Sequence, residues 1–180
     1  MAGDRPDPPR GRDARLRGAA DRHRPAGRDQ ALLTSVARPV VVRAADGELI
    51  DAAGVAHLFK LTGGRLGLER FEVPPLTVGA GPHVHGSHDE YFYVLAGALT
   101  LTTDDGEVTL GAGDLAAAPR GSLHGYRNAS ADTTATALCL YTPPGYEQYF
   151  RDVHAAAAEG AEVTPELLAE LRSRYDTESR

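Results

Sequence analysis

A chain of 180 residues with a formal charge of −6 is long enough for one domain with a buried core, with residues left over for tails. No apolar run approaches the roughly 20 residues of a membrane helix, and the acidic balance lacks the clustered positive charge that nucleic-acid backbones attract. Membrane and nucleic acid are therefore excluded as main partners. The single cysteine, Cys139, rules out an intrachain disulfide and a cysteine-rich metal cluster, and fits a reducing, cytoplasmic setting.

Residues 1–30 are rich in Arg, Asp, Pro, Gly and Ala and nearly devoid of large apolar side chains. Such a stretch cannot bury enough surface to offset its ordering entropy, so it is expected to be a disordered basic tail. The first 38 residues carry nine arginines against five aspartates, which leaves the remainder more acidic than the total. The functional alternative to a plain solvated tail is a basic arm touching an anionic surface. The segment has neither the apolar centre of a secretory signal nor the acid-poor composition of a transit peptide. Order is expected from residue 31, as a β-barrel over 31–145 followed by a C-terminal helical cap over 146–180.

Twenty glycines and twelve prolines, set between short apolar runs, predict an all-β body with many turns. Residues 39–43, with three consecutive valines, predict a first strand, and Asp46 and Gly47 a turn. Residues 55–61 predict a strand with Val55, His57, Phe59 and Leu61 on one face, where His57 reads as a packed histidine rather than a ligand. After a turn at 62–64, Leu66, Leu68 and Arg70 alternate with Gly67, Glu69 and Phe71. Pro74 and Pro75 stop that strand, because neither donates to a ladder, and β structure resumes at 76–78.

His83 and His85 come next, one residue apart. On a strand, positions i and i+2 share a face, so both imidazoles can reach one ion. Glu90 lies five residues past His85, the wrong parity for one flat strand, so the chain must turn or bulge at 86–88. Beyond it Glu90, Phe92 and Val94 are expected inward, and Tyr91, Tyr93 and Leu95 outward. Strands are predicted at 98–102 and 107–110 around a turn at 104–106, at 115–118, at 123–126 with His124, and at 133–141 with Cys139 buried. The period then changes: Tyr149, Phe150 and Val153 fall at helical spacing, and Thr164, Pro165 and Glu166 form a helix start before the stripe Leu167, Leu168, Leu171 and Tyr175.

Three imidazoles and a carboxylate on strands are a donor set for one divalent transition-metal ion: Fe, Mn, Ni, Co, Cu or Zn. The residues around them resemble the cupin superfamily. Gly113, Pro119, Gly121, His124 and Asn128 match the second family motif at every position, and His83, His85, Glu90 and Gly97 match the core of the first. The first motif's leading glycine falls on Thr77, with Gly79 and Gly81 nearby to supply its turn, so the departure touches backbone shape and not the ligands. Each motif occurs once, as in a single-domain cupin. The resemblance covers about residues 40–141. It implies a cupin-type jelly-roll β-barrel of two antiparallel sheets with C-terminal helices. It also implies His83, His85, Glu90 and His124 as the metal ligands.

The run from Pro143 to Asp152 and the closing residues after Arg174 look like the tail of bacterial quercetinase-like cupins. There a helix after the last strand packs over the barrel mouth. That likeness implies a dioxygenase acting on a flavonol-like or other enolisable aromatic, with Glu90 as ligand and proton acceptor. A non-redox, metal-assisted polyketide cyclase or isomerase and a non-catalytic small-molecule-binding cupin are the alternatives. The expected partners are a small organic substrate, dioxygen and, by analogy with other cupins, a second copy of the chain. His88 reads as a partner of the ligands, a proton relay or an outward loop residue. Phe92, Tyr126, Tyr149 and Phe150 are candidates to line a substrate pocket, and Arg127 beside Tyr126 is a further residue within reach of it.

Overall fold

The computed structural model describes residues 39–180. The expected tail over 1–30 lies outside the described residues. Eleven strands and two helices follow in chain order among them: β1 (Glu48–Ala52), β2 (Val55–Gly63), β3 (Leu66–Val73), β4 (Val78–His85), β5 (Asp89–Ala96), β6 (Ala98–Thr103), β7 (Gly106–Gly111), β8 (Leu115–Ala118), β9 (Leu123–Arg127), β10 (Ala135–Thr142), α1 (Glu147–Ala158), α2 (Pro165–Ser173) and β11 (Thr177–Ser179).

The strands form two antiparallel sheets. One runs β1-β2-β3-β10-β5-β8 and the other β11-β4-β9-β6-β7. They close face to face as a jelly-roll barrel, the fold the sequence predicts. Alternation fills the space between them. Along β5, Glu90, Phe92 and Val94 are buried, whereas Tyr93 and Leu95 are exposed. Along β3 the inward set is Gly67, Glu69, Phe71 and Val73. Among the described residues no helix is long and apolar enough to cross a membrane.

Two motif positions explain themselves in backbone terms. Gly97 adopts φ +69, and a Cβ there would collide with the carbonyl of Thr134, so the β5–β6 turn requires glycine. The fully buried Asn128 donates from Nδ2 to the carbonyls of Val73 (3.0 Å) and Thr133 (2.8 Å) and accepts from Ser130 N (3.0 Å). It thereby pins the end of β9 to the end of β3 and the start of the β10 approach.

Three sequence expectations change. Residues 39–43 form no strand, and Val41 is 66% exposed. At the end of the stretch Lys60 Nζ donates to the carbonyls of Arg43 (3.0 Å), Ala44 (2.7 Å) and Asp46 (2.5 Å) instead. The first strand is β1, a stretch that the sequence reading passed over because Glu48 and Asp51 interrupt its apolar pattern. After α2 the chain returns to the sheet as β11, which pairs with β4 in the register Thr177–His85, Glu178–Val84 and Ser179–His83.

The two helices stand where predicted. Thr164 caps α2 by accepting from Leu167 N at 3.3 Å, with Pro165 in the first turn. Buried Tyr149 and Val153 hold α1 against the barrel, and Arg151 of α1 closes on Glu48 of β1 at 2.6 Å.

Candidate metal centre

His83 and His85 stand on β4, His124 on β9 and Glu90 on β5, so two strands of one sheet and one strand of the other meet at a single point. All four residues are buried, and one donor atom from each lies within 4.8 Å of every other. The turn predicted between His85 and Glu90 exists at 86–88 and corrects the parity. It is anchored by Gly86 N on the Asp176 carbonyl (2.7 Å), and Gly121 N on the His85 carbonyl (2.8 Å) brings in the loop before His124.

Each imidazole is oriented through Nδ1. His83 Nδ1 donates to the Gly81 carbonyl (2.9 Å) and His124 Nδ1 to the Ser122 carbonyl (3.2 Å). His85 Nδ1 meets Thr177 Oγ1 at 2.8 Å, and that hydroxyl spends its own proton on the Tyr175 carbonyl at 3.1 Å. In its neutral form each of the three rings therefore carries its proton on Nδ1 and turns the Nε2 lone pair inward.

The inward atoms are close. His83 Nε2 and His85 Nε2 are 3.0 Å apart, and Glu90 lies 3.3 Å from both His85 Nε2 and His124 Nε2. Donors about 2.1 Å from a common ion in a tetrahedral or octahedral shell are separated from one another by roughly 3.0–3.4 Å. Lone pairs facing each other at that spacing repel unless a cation lies between them. The donor set thus fits a divalent transition metal in number, type, spacing and tautomer.

The electrostatics agree. Burial, helped by the neighbouring His124, lowers the His83 pKa to about 3, and burial lowers that of His85, so both rings are neutral donors near neutral pH. Burial pushes the Glu90 carboxyl up, and a hydrogen bond from whichever of His124, His85 and His88 presents an Nε2 proton pulls it well below the usual range. Beside it, Arg120 grips Asp89 through Nε (2.9 Å) and Nη2 (3.0 Å), clamping the loop before β9 onto the start of β5 and drawing the Asp89 pKa down to about 2.

A cavity of about 370 Å³ opens on this cluster, with His83 and Glu90 in its wall. Phe92, Tyr126, Tyr149 and Phe150 also line it. Tyr126 reaches it because Gly79 lets its ring lie flat on β4, where a Cβ would run into that ring. Burial raises the Tyr126 pKa far above its ordinary value, so it stays a phenol.

His88 is buried but borders a separate recess behind Tyr146. Its ring lies 4.0 Å from that of His85, and its Nε2 stands 3.4 Å from Glu90. Arg127 does not approach the cavity. Alternation along β9 turns it outward, where it pairs with Glu107 at 2.8 Å.

Four further residues surround the site, none of them singled out by the sequence as part of it. His57 is a packed histidine, as expected, but its Nδ1 meets the buried Glu69 at 2.8 Å and both line the cavity. The signal for Glu69 was its shared parity with Gly67 and Phe71. Thr177 and Arg172 arrive from the C-terminal segment. Arg172 lies four residues after Leu168 and so falls on the apolar stripe of α2.

Residues 69–141 match the family model described as "Cupin domain". The chain is 37% identical over 70 residues to quercetin 2,3-dioxygenase of Bacillus subtilis, a stretch that covers 38% of this chain and 20% of that enzyme. Among solved structures, KdgF from Halomonas superposes with a TM-score of 0.54 at 21% identity, over 61% of this chain and 99% of that one. The polyketide cyclase RemF from Streptomyces resistomycificus superposes with a TM-score of 0.50 at 25% identity, over 59% of this chain and 83% of that one. Thr177 and Arg172 lie beyond the matched domain.

Proposed function

With residues 69–141 forming a cupin domain as premise, we propose that this chain is a metal-dependent dioxygenase acting on an enolisable aromatic of the flavonol kind. His83, His85, Glu90 and His124 hold one divalent transition-metal ion in this reading. The observation that carries it is the buried quartet of inward-facing donors, two of which, His83 and Glu90, stand in the wall of a mostly apolar cavity. The partial identity to quercetin 2,3-dioxygenase supports the choice of reaction class.

When bound, the ion supplies Lewis acidity and, if redox-active, one-electron exchange with dioxygen. The remaining roles belong to the chain. Glu90 is the carboxylate placed to accept the proton of a substrate hydroxyl. Phe92, Tyr126, Tyr149 and Phe150 bury the flat body of the substrate. Helix α1, with Tyr146 at its N-terminal cap and Tyr149 in its first turn, excludes bulk water from the reacting face.

A second reading is favoured by the likeness to RemF: a non-redox polyketide cyclase or isomerase that uses the same ion as a Lewis acid only. Elemental analysis of protein purified without added metal comes first, followed by oxygen-electrode assays with flavonols, catechols and diketones. Stoichiometric metal and substrate-dependent oxygen uptake support the dioxygenase. Turnover of the zinc-loaded protein without oxygen uptake moves the assignment to the second reading. Tight binding without turnover reduces the protein to a ligand-binding cupin.

A further inference from the structure

Arg172 is only 6% exposed, yet it makes no ion pair with a carboxylate among the described residues. Nη1 donates to Ser179 Oγ at 3.1 Å, and Nε is sealed from solvent with no hydrogen-bond partner. The guanidinium carbon stands 5.8 Å from the centre of the Tyr149 ring. Burial raises the Tyr149 pKa, and the charge of Arg172, together with a hydrogen bond from Arg172 to the Tyr149 hydroxyl, draws it part of the way back. A guanidinium is always charged, has five donors in a planar fork, and is costly to bury without an anion.

The two acids that share its cavity are already engaged. Glu69 is closed on His57 at 2.8 Å, and Glu90 on the histidine cluster. The position of Arg172 is also specific. Its partner Ser179 sits opposite His83 in the β11–β4 ladder, so the guanidinium stands on the His83 side of the cluster and lines the same cavity. The wall is mostly ring and aliphatic surface, with Phe92, Phe150, Val153, Val163 and Leu168 in it, and the other guanidinium that borders it, that of Arg180, is paired with Glu178 at 2.8 Å. A largely apolar chamber with a buried guanidinium that has no carboxylate partner, beside a metal-type donor set, is built for a flat apolar molecule bearing one planar anionic group.

We propose that Arg172 is the anion-binding residue of this cavity and that its ligand is an aromatic carboxylic acid, held by the guanidinium while its ring system fills the apolar chamber. The inference rests on reading the cavity as the substrate site, and it narrows the substrate class from any enolisable aromatic to an acidic one. The carboxylate is held through paired N–H bonds, and the ring is packed against Tyr149 and Phe150.

The test is isothermal titration calorimetry with 2-naphthoate and its uncharged isostere 2-naphthamide, run on metal-loaded and metal-free protein, with bound metal assayed in each sample. The metal-loaded wild type should prefer the naphthoate by about tenfold or more. Arg172→Met should bring the two ligands within about twofold of each other while metal content stays that of the wild type. Arg172→Lys, which keeps the charge without the fork, should fall between them and serves in place of the methionine variant should that one not fold. Equal binding of the two ligands by the wild type, or a preference that survives in Arg172→Met, overturns the proposal. Wild type that takes up no metal but still discriminates through Arg172 overturns the assigned reaction and leaves the anion site standing, so the two failures are distinguishable.

Discussion

Glu69 and His57 occupy neighbouring strands on the inward face, one step off the direct register, which pairs His57 with Phe71 and Phe59 with Glu69. One proton lies between Nδ1 and Oε2 at 2.8 Å, with both side chains almost fully buried. His57 is then packed against the ring of Phe150, 4.2 Å away, which leaves the pair little room to rearrange. Removing one partner strands the other in an apolar setting, whereas removing both removes the polar demand altogether. Glu69→Ala should therefore cost about 3 kcal/mol, and the double replacement His57→Phe with Glu69→Leu should recover most of it. Chemical denaturation of the three variants against wild type measures this. A double variant no more stable than Glu69→Ala would show that the pair contributes only as filler of the core.

At the scale of elements, β11 shows how a three-residue strand can matter to a distant site. It brings Thr177 opposite His85, and the Thr177 hydroxyl accepts from His85 Nδ1. Groups that orient a metal-bound histidine typically change metal affinity by about 10- to 100-fold when lost. Thr177→Val, nearly isosteric, should weaken metal binding by about that factor, and Thr177→Ser should not; competition titration with a chelator reads both. The four donors could be read from the sequence because strand parity and the one necessary turn fix them locally: His83 and His85 share a face, and Glu90 requires the bend at 86–88. The alternation of β5 and the cap of α2 at Thr164 were legible for the same local reason. Thr177 and Arg172 were not, because their meaning lies in a pairing between residues 85 and 177, about ninety positions apart, that no local period encodes. Residues 39–43 misled in the opposite way. Their valines carry strand propensity, but Lys60 binds the carbonyls that follow and no neighbouring strand accepts them.

For the molecule as a whole, the donor cluster joins the two sheets. His83, His85 and His124 belong to the five-stranded sheet and Glu90 to the six-stranded one, and the contacts His85–Glu90 and His124–Glu90, both 3.3 Å, cross between them. An ion at that point binds the closed barrel and not the unfolded chain, so occupancy becomes folding free energy. At free metal about a hundredfold above the dissociation constant, the gain is about 2.7 kcal/mol. In a chain of this length each kcal/mol moves the midpoint by about 2–4 °C, so chelation should lower it by about 5–10 °C. Calorimetry of the metal-loaded protein before and after chelator treatment, and again after the metal is restored, tests this directly. Glu90→Gln and His124→Ala should each melt at a temperature that chelator no longer alters, because each removes one of the four donors that hold the ion. A chelator shift that persists undiminished in both variants would place the stabilising ion elsewhere in the molecule.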